Sequence, residues 1–264
     1  MTTEIAEQTP SSSRATPRVR LFWQPGCSSC VKVKEFLSNN EVDFQSVNIL
    51  EDQDAKRELI ALRNRSVPVL LQGDRAIYAQ SLDDVAKFVG KTRQVERLAP
   101  EILIERWLQF LRISRELITR LPTDKLEARP VPERERSNLQ LSYHIFQIPE
   151  SLLETVENGI TDSRDISNAK YDHLRTAHDL LTYADTIISR MERWQACVSP
   201  DWFGSTVETY YGEQPAMQVL ERGTWHSGQH ARQLDFVVTS LTGTATAIPA
   251  SAYVGLPMPD GIWQ

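Results

Sequence analysis

Apolar and polar positions alternate from Arg18 through Val19, Leu21 and Trp23, which predicts a strand. After a Pro25-Gly26 turn, Val31, Val33, Phe36 and Leu37 recur at helical spacing as far as Asn39 and Asn40. Val42 to Ile49 predicts a second strand. Asp52 to Arg63, charged but with Leu59 and Leu62 on one face, predicts a helix that covers the sheet. Ser66 to Leu71 enters a third strand, Gly73-Asp74 turns the chain, and Ala76 to Ala79 returns as a fourth. Leu82 to Val89 closes the unit as a helix with Ser81 as its N-cap. The order is βαβαββα.

Beyond a charged joint at 92–100 the pattern changes to steps of three and four residues, with no strand signal. Ile102, Leu103, Trp107, Phe110, Leu111, Leu117 and Ile118 give one wide apolar face up to Pro122. A loop with Pro130, Pro132 and alternating charges leads to Ser137, which caps a second helix running through Leu141, His144, Ile148 and Val156 and interrupted at Pro149. A third helix is predicted over Ile166 to Trp194. A fourth runs from Gln214 to Leu241, after a loop holding Trp202, Phe203, Tyr210 and Tyr211. Four helices of this length imply a bundle.

The expected organisation is therefore a disordered tail (1–17), an α/β domain (18–91), a linker (92–100), an all-α four-helix bundle (101–243) and an irregular tail (244–264). At 264 residues two cores are expected. A net charge of −6 without a Lys/Arg run argues against nucleic acid, and no stretch approaches the roughly 20 apolar residues that span a bilayer. The first 17 residues lack the apolar segment of a secretory signal. Three cysteines, two of them as CxxC, suit a reducing compartment, so the expected location is the cytoplasm.

Chemistry concentrates at Cys27-Ser28-Ser29-Cys30, where the first strand turns into the first helix. Unpaired N–H groups and the helix dipole favour a thiolate on Cys27, and Cys30, one turn on, can attack a mixed disulfide formed there. A buried structural pair or half of a zinc site is the blander alternative. With a Val-Pro before the third strand, this arrangement resembles glutaredoxin, within the thioredoxin-like fold. The resemblance implies that Pro68 is cis and faces Cys27, that Val67 offers its backbone N–H and C=O to a peptide-like thiol, and that Asp83 and Asp84 grip the amino group of glutathione. The sequence departs from the family at Gln24, at Ser28-Ser29, and at Ala79-Gln80, where Gly-Gly is usual. Cys197, alone near a helix end, reads as a packed small hydrophobe.

His226 and His230 lie four apart, so both face one point of a helix. That face continues through Gln233, Leu234, Val237 and Leu241 into the bundle. His144 lies on the apolar face of the second helix. Buried imidazoles are satisfied by a metal or by core hydrogen bonds, and three of them leave a coordination position open for catalysis. Leu141-Ser-Tyr-His144 and Thr224-Trp-His226-Ser-Gly-Gln-His230 resemble the DinB-like metal-binding four-helix bundles. There, one His of the second helix and an HxxxH pair of the fourth hold a divalent ion, so the likeness implies metal at His144, His226 and His230. Zinc, nickel, iron and manganese all accept imidazole. His178 reads as packing on the third helix, with a fourth ligand as the alternative, and His173 as facing solvent. A metal shared by CxxC and HxxxH is not expected, since the two belong to separate cores.

The fusion points to a metal-dependent, S-transferase-like enzyme using a low-molecular-weight thiol such as glutathione, with the glutaredoxin-like half supplying or recycling that thiol. Its partners are a small-molecule thiol and an electrophile, or a disulfide substrate. The alternatives are a thiol:disulfide oxidoreductase whose bundle serves dimerisation or docking, and a metal or metalloid detoxifier. The final aromatics, Tyr253 and Trp263, are expected to pack back on the bundle, to form a lid over the metal site, or to meet a second subunit in a homodimer.

Overall fold

A computed structural model describes residues 17–62, 66–162 and 169–263. The predicted first strand is β1 (Val19–Trp23), followed by α1 (Ser28–Asn39), β2 (Phe44–Asn48), α2 (Gln53–Ala61), β3 (Val69–Gln72), β4 (Arg75–Tyr78) and α3 (Leu82–Phe88). The sheet order is β2-β1-β3-β4. β1 and β2 are parallel, and the other two pairs are antiparallel. Because side chains alternate along a strand, Leu21 and Leu70 pack with α1 and α3 on one face, whereas Phe22, Val69 and Leu71 pack with α2 on the other. This is the α/β, thioredoxin-like unit expected. Cys27 caps α1, its sulfur accepting from the Cys30 N–H at 3.2 Å. The Val67-Pro68 bond is cis.

The second unit is built from α4 (Pro100–Arg120), α5 (Asn138–Asn158), α6 (Ala177–Cys197) and α7 (Ala216–Thr242) around one apolar core. Two glycines of α7 let α4 approach closely. A Cβ at Gly223 would lie 2.1 Å from the Trp107 ring, and one at Gly228 would lie 2.7 Å from Phe110. The bundle is as predicted, but three details differ.

Pro149 does not interrupt α5. The carbonyl it leaves without a helical donor is that of Ile145, four residues earlier, and the Ser227 hydroxyl of α7 donates to that oxygen at 3.2 Å. The third helix begins later than expected, at a capping box in which Thr176 and Asp179 satisfy each other's N–H groups. Its predicted first residues, 166–168, lie outside the described ones. The aromatic loop before α7 contains a hairpin, β5 (Thr206–Thr209) with β6 (Gly212–Pro215). It lacks apolar alternation because only Val207 and Gln214 are buried in it. The exit tail packs back on the bundle, one of the expected outcomes, as a strap with a 3-10 turn at Ala250–Tyr253. Tyr253 stacks on Phe110 at 5.5 Å, and Arg106 donates to three of the strap's carbonyls.

The predicted linker is pinned rather than loose. Arg93 and Arg97 bond Asp83 at 2.8 and 2.6 Å, and Arg97 also reaches Glu221 of α7 at 3.3 Å. No described helix is long and apolar enough to cross a membrane.

Candidate functional site

The turn into α1 is pressed against the second unit. Gly26 has a positive φ of 66°, and Arg134 lies against its α-carbon, with a guanidinium nitrogen 3.3 Å from where a Cβ would stand. Arg134 donates to the Gly26 carbonyl at 2.6 Å, and the Gly26 N–H donates to the Trp263 carbonyl of the strap at 3.3 Å. Cys27 and Cys30 form a disulfide. Cys30 is buried, whereas Cys27 is half-buried, lies 3.9 Å from the Val67 carbonyl and faces a cavity.

The same cavity is lined by the three histidines. One ring nitrogen from each of His144, His226 and His230 lies within 4.8 Å of the others. His144 Nδ1 meets Gln147 Oε1 at 2.6 Å, and His230 Nδ1 meets Gln233 Oε1 at 2.6 Å. A glutamine oxygen can only accept, so both rings carry their proton on Nδ1 and present a bare Nε2. Nε2 of His230 lies 3.2 Å from Nε2 of His226. Two nitrogens bound tetrahedrally at about 2.0–2.1 Å are about 3.3 Å apart, so this spacing fits one ion. No carboxylate lies in the cluster, and His226 Nδ1 is buried without a partner among the described residues. Burial, followed by the positive field of Arg136, Arg222 and the neighbouring histidines, holds all three imidazoles well below the usual range and keeps them neutral as ligands. The donor set fits a divalent metal ion.

The two predicted sites therefore share one cavity of about 380 Å³. Ser28, inside the CxxC motif, is buried and its hydroxyl lies 3.3 Å from His230 Nε2. The cores are separate, as expected, yet their chemistry converges.

Residues 19–77 match the sequence model of the glutaredoxin family, and residues 106–234 match that of the DinB superfamily. The chain carries a glutaredoxin domain and a DinB-superfamily domain. Over 74 residues it is 28% identical to an uncharacterized glutaredoxin-like 8.6 kDa protein in the rubredoxin operon of Clostridium pasteurianum, covering 99% of that protein and 28% of this chain. Both halves thus support a thiol-redox and metal-associated role.

The glutaredoxin domain's other predicted residues are distributed unevenly. Val67 lines the cavity, but its carbonyl also accepts from Gln80 at 3.2 Å. Pro68 follows it at the cis bond. Asp83 is engaged by Arg93 and Arg97, and Asp84 accepts from Gln214 at 2.9 Å. Neither aspartate lines the cavity. In the DinB-superfamily domain His178 and His173 are exposed and stand apart from the histidine cluster, and Cys197 is exposed rather than packed. For His178 and Cys197 the apolar residues of α6 take the core positions, with Leu180, Ala184 and Trp194 facing inward.

The sequence reading named Ser28 and Gln233 without giving either a role, and passed over Gln147, Arg134, Arg136 and Arg222. A signal for the glutamines was present: His144-Ile-Phe-Gln147 and His230-Ala-Arg-Gln233 repeat the same spacing, which places a Gln one turn beyond each ligand. The arginines have no such signature.

Proposed function

We propose that this chain is a metal-dependent thiol-handling enzyme in which a low-molecular-weight thiol is activated and its disulfide reduced within one cavity. The observation that supports it is the Ser28 hydroxyl 3.3 Å from His230 Nε2, which joins the redox motif to the imidazole cluster. His144, His226 and His230 would hold a divalent ion, which would favour the thiolate form of a thiol entering the cavity for attack on an electrophile. Gln147 and Gln233 fix the tautomers of two of the ligands. In the reduced protein Cys27, the sulfur that faces the cavity, attacks a small-molecule disulfide, forms a mixed disulfide and releases one thiol. Cys30 then attacks Cys27, releases the second thiol and leaves the Cys27–Cys30 disulfide.

Metal content and conjugation activity test the reading together. The purified protein is expected to hold one divalent ion per chain by elemental analysis and to lose it in His226→Ala. Chelation is expected to abolish transfer of the thiol to a panel of electrophiles and to spare disulfide reduction. Conjugation unchanged by chelation would refute the transferase half.

A further inference from the structure

Among the described residues, three guanidinium groups, those of Arg134, Arg136 and Arg222, line the shared cavity, and no carboxylate does. Among the described residues none of the three is paired with an acid. Arg134 donates to a backbone carbonyl, and Arg222 donates to the carbonyl and side-chain oxygens of Gln80 at 3.3 and 2.5 Å. No hydrogen bond or ion pair among the described residues engages the Arg136 guanidinium. Burial pushes Arg134 down to about 10, and burial and then Arg134 push Arg136 down as well. Ser29, on the same wall, has a buried hydroxyl without a partner among the described residues. A cavity that holds unbalanced positive charge is completed by an anion. At about 380 Å³ it falls in the small-molecule range of about 300–1,000 Å³. The acids that could hold an ammonium group are absent from it, because Asp83 and Asp84 are spent on Arg93, Arg97 and Gln214.

We propose that the thiol used here is one whose charged groups are carboxylates, its amine absent or acylated, with Arg134, Arg136 and Arg222 receiving the carboxylates while its sulfur meets Cys27. The proposal rests on the redox reading of Cys27 given above. In the reductive direction the thiolate RS⁻ attacks Cys27 of the disulfide, the Cys27–Cys30 bond breaks and Cys30 leaves as thiolate. A second RS⁻ then attacks the sulfur of R in the mixed disulfide, giving RSSR and the Cys27 thiolate. Two small thiols supply the two electrons.

Reduction of the oxidised protein by mercaptosuccinate, 2-mercaptoethanol and cysteamine tests the proposal, each rate being divided by that of the same thiol with a small aromatic disulfide to remove differences in basicity. The expected order is mercaptosuccinate, then 2-mercaptoethanol, then cysteamine. The extremes should differ by about tenfold or more at low salt and converge at high salt. Arg136→Gln should shrink the ratio and Arg136→Lys should retain most of it, which separates lost charge from lost fold. Equal corrected rates, or a ratio untouched in Arg136→Gln, would overturn the assignment. Calorimetric titration with S-methylmercaptosuccinate, which cannot react, reads the anion site directly. Binding should weaken about tenfold in Arg136→Gln, and phosphate competing as well as the dianion would also overturn the carboxylate assignment. If no thiol of any charge reduces the disulfide while the dianion still binds through Arg136, the redox reading of Cys27 fails and the anion cavity stands. If all thiols react and the dianion does not bind, the reverse holds.

Discussion

Gln233 has two partners: its side-chain oxygen meets His230 Nδ1, and its nitrogen donates to the Ile262 carbonyl of the strap at 2.6 Å. The second contact fixes which end of the amide faces the ring, and so the ring's tautomer. Gln233→Leu should weaken metal binding by about 10- to 100-fold while all three ligands remain, measured by competition with a chromophoric chelator. The three imidazoles also set a pH dependence. Their folded values lie below the unfolded value of about 6.5, so below that pH the unfolded chain takes up protons that the fold refuses. Stability of the metal-free protein should be complete above about pH 6.5 and decline as the pH falls toward the folded values. The slope is at most about 1.4 kcal/mol per pH unit for each imidazole, and denaturant titrations from pH 7.5 to 5 would show it. A flat profile would mean that the rings are solvated.

The α4–α7 contact decides how α7 carries its ligands. Gly228 lies between His226 and His230 and lets Phe110 sit against the backbone. In a helix interior Ala is preferred to Gly by about 1 kcal/mol, but here the added methyl overlaps a packed ring. Gly228→Ala should therefore destabilise by about 1–3 kcal/mol in urea and shift the imidazoles. Neither glycine's role is visible in the sequence, because the ring that needs the space lies more than 100 residues away. The helices themselves and the His positions were legible from periodicity, as was the CxxC turn. The β5–β6 hairpin was not, since two polar strands with one buried residue each look like loop. Nor was the continuity of α5 through Pro149, which depends on a hydroxyl from another helix. The same limit applies to Arg134 and Arg136, which read as members of a charged loop until the fold brings them to Gly26 and the histidines.

Beside the bonds at Gly26, Ser28 and Asp84, the polar contacts between the domains include three further sets. The linker arginines bind Asp83 and Glu221, Gln80 binds Arg222, and the strap ties Lys32 to Met258 and Glu35 to Asp260. Glu221 is buried, and burial raises its carboxyl pKa above the usual value, so its bond to Arg97 matters. Arg97→Ala should cost about 1–3 kcal/mol by leaving Glu221 and Asp83 short of a donor, and should split one unfolding transition into two in calorimetry. An unaltered single transition would mean that the remaining contacts between the domains suffice. One cavity between two domains also has a kinetic meaning. Under the proposed function, a sulfur species formed at the imidazoles would reach Cys27 within that cavity, so turnover per chain should not change on dilution. The two halves supplied as separate molecules would have to meet by diffusion, and their joint rate would fall with concentration.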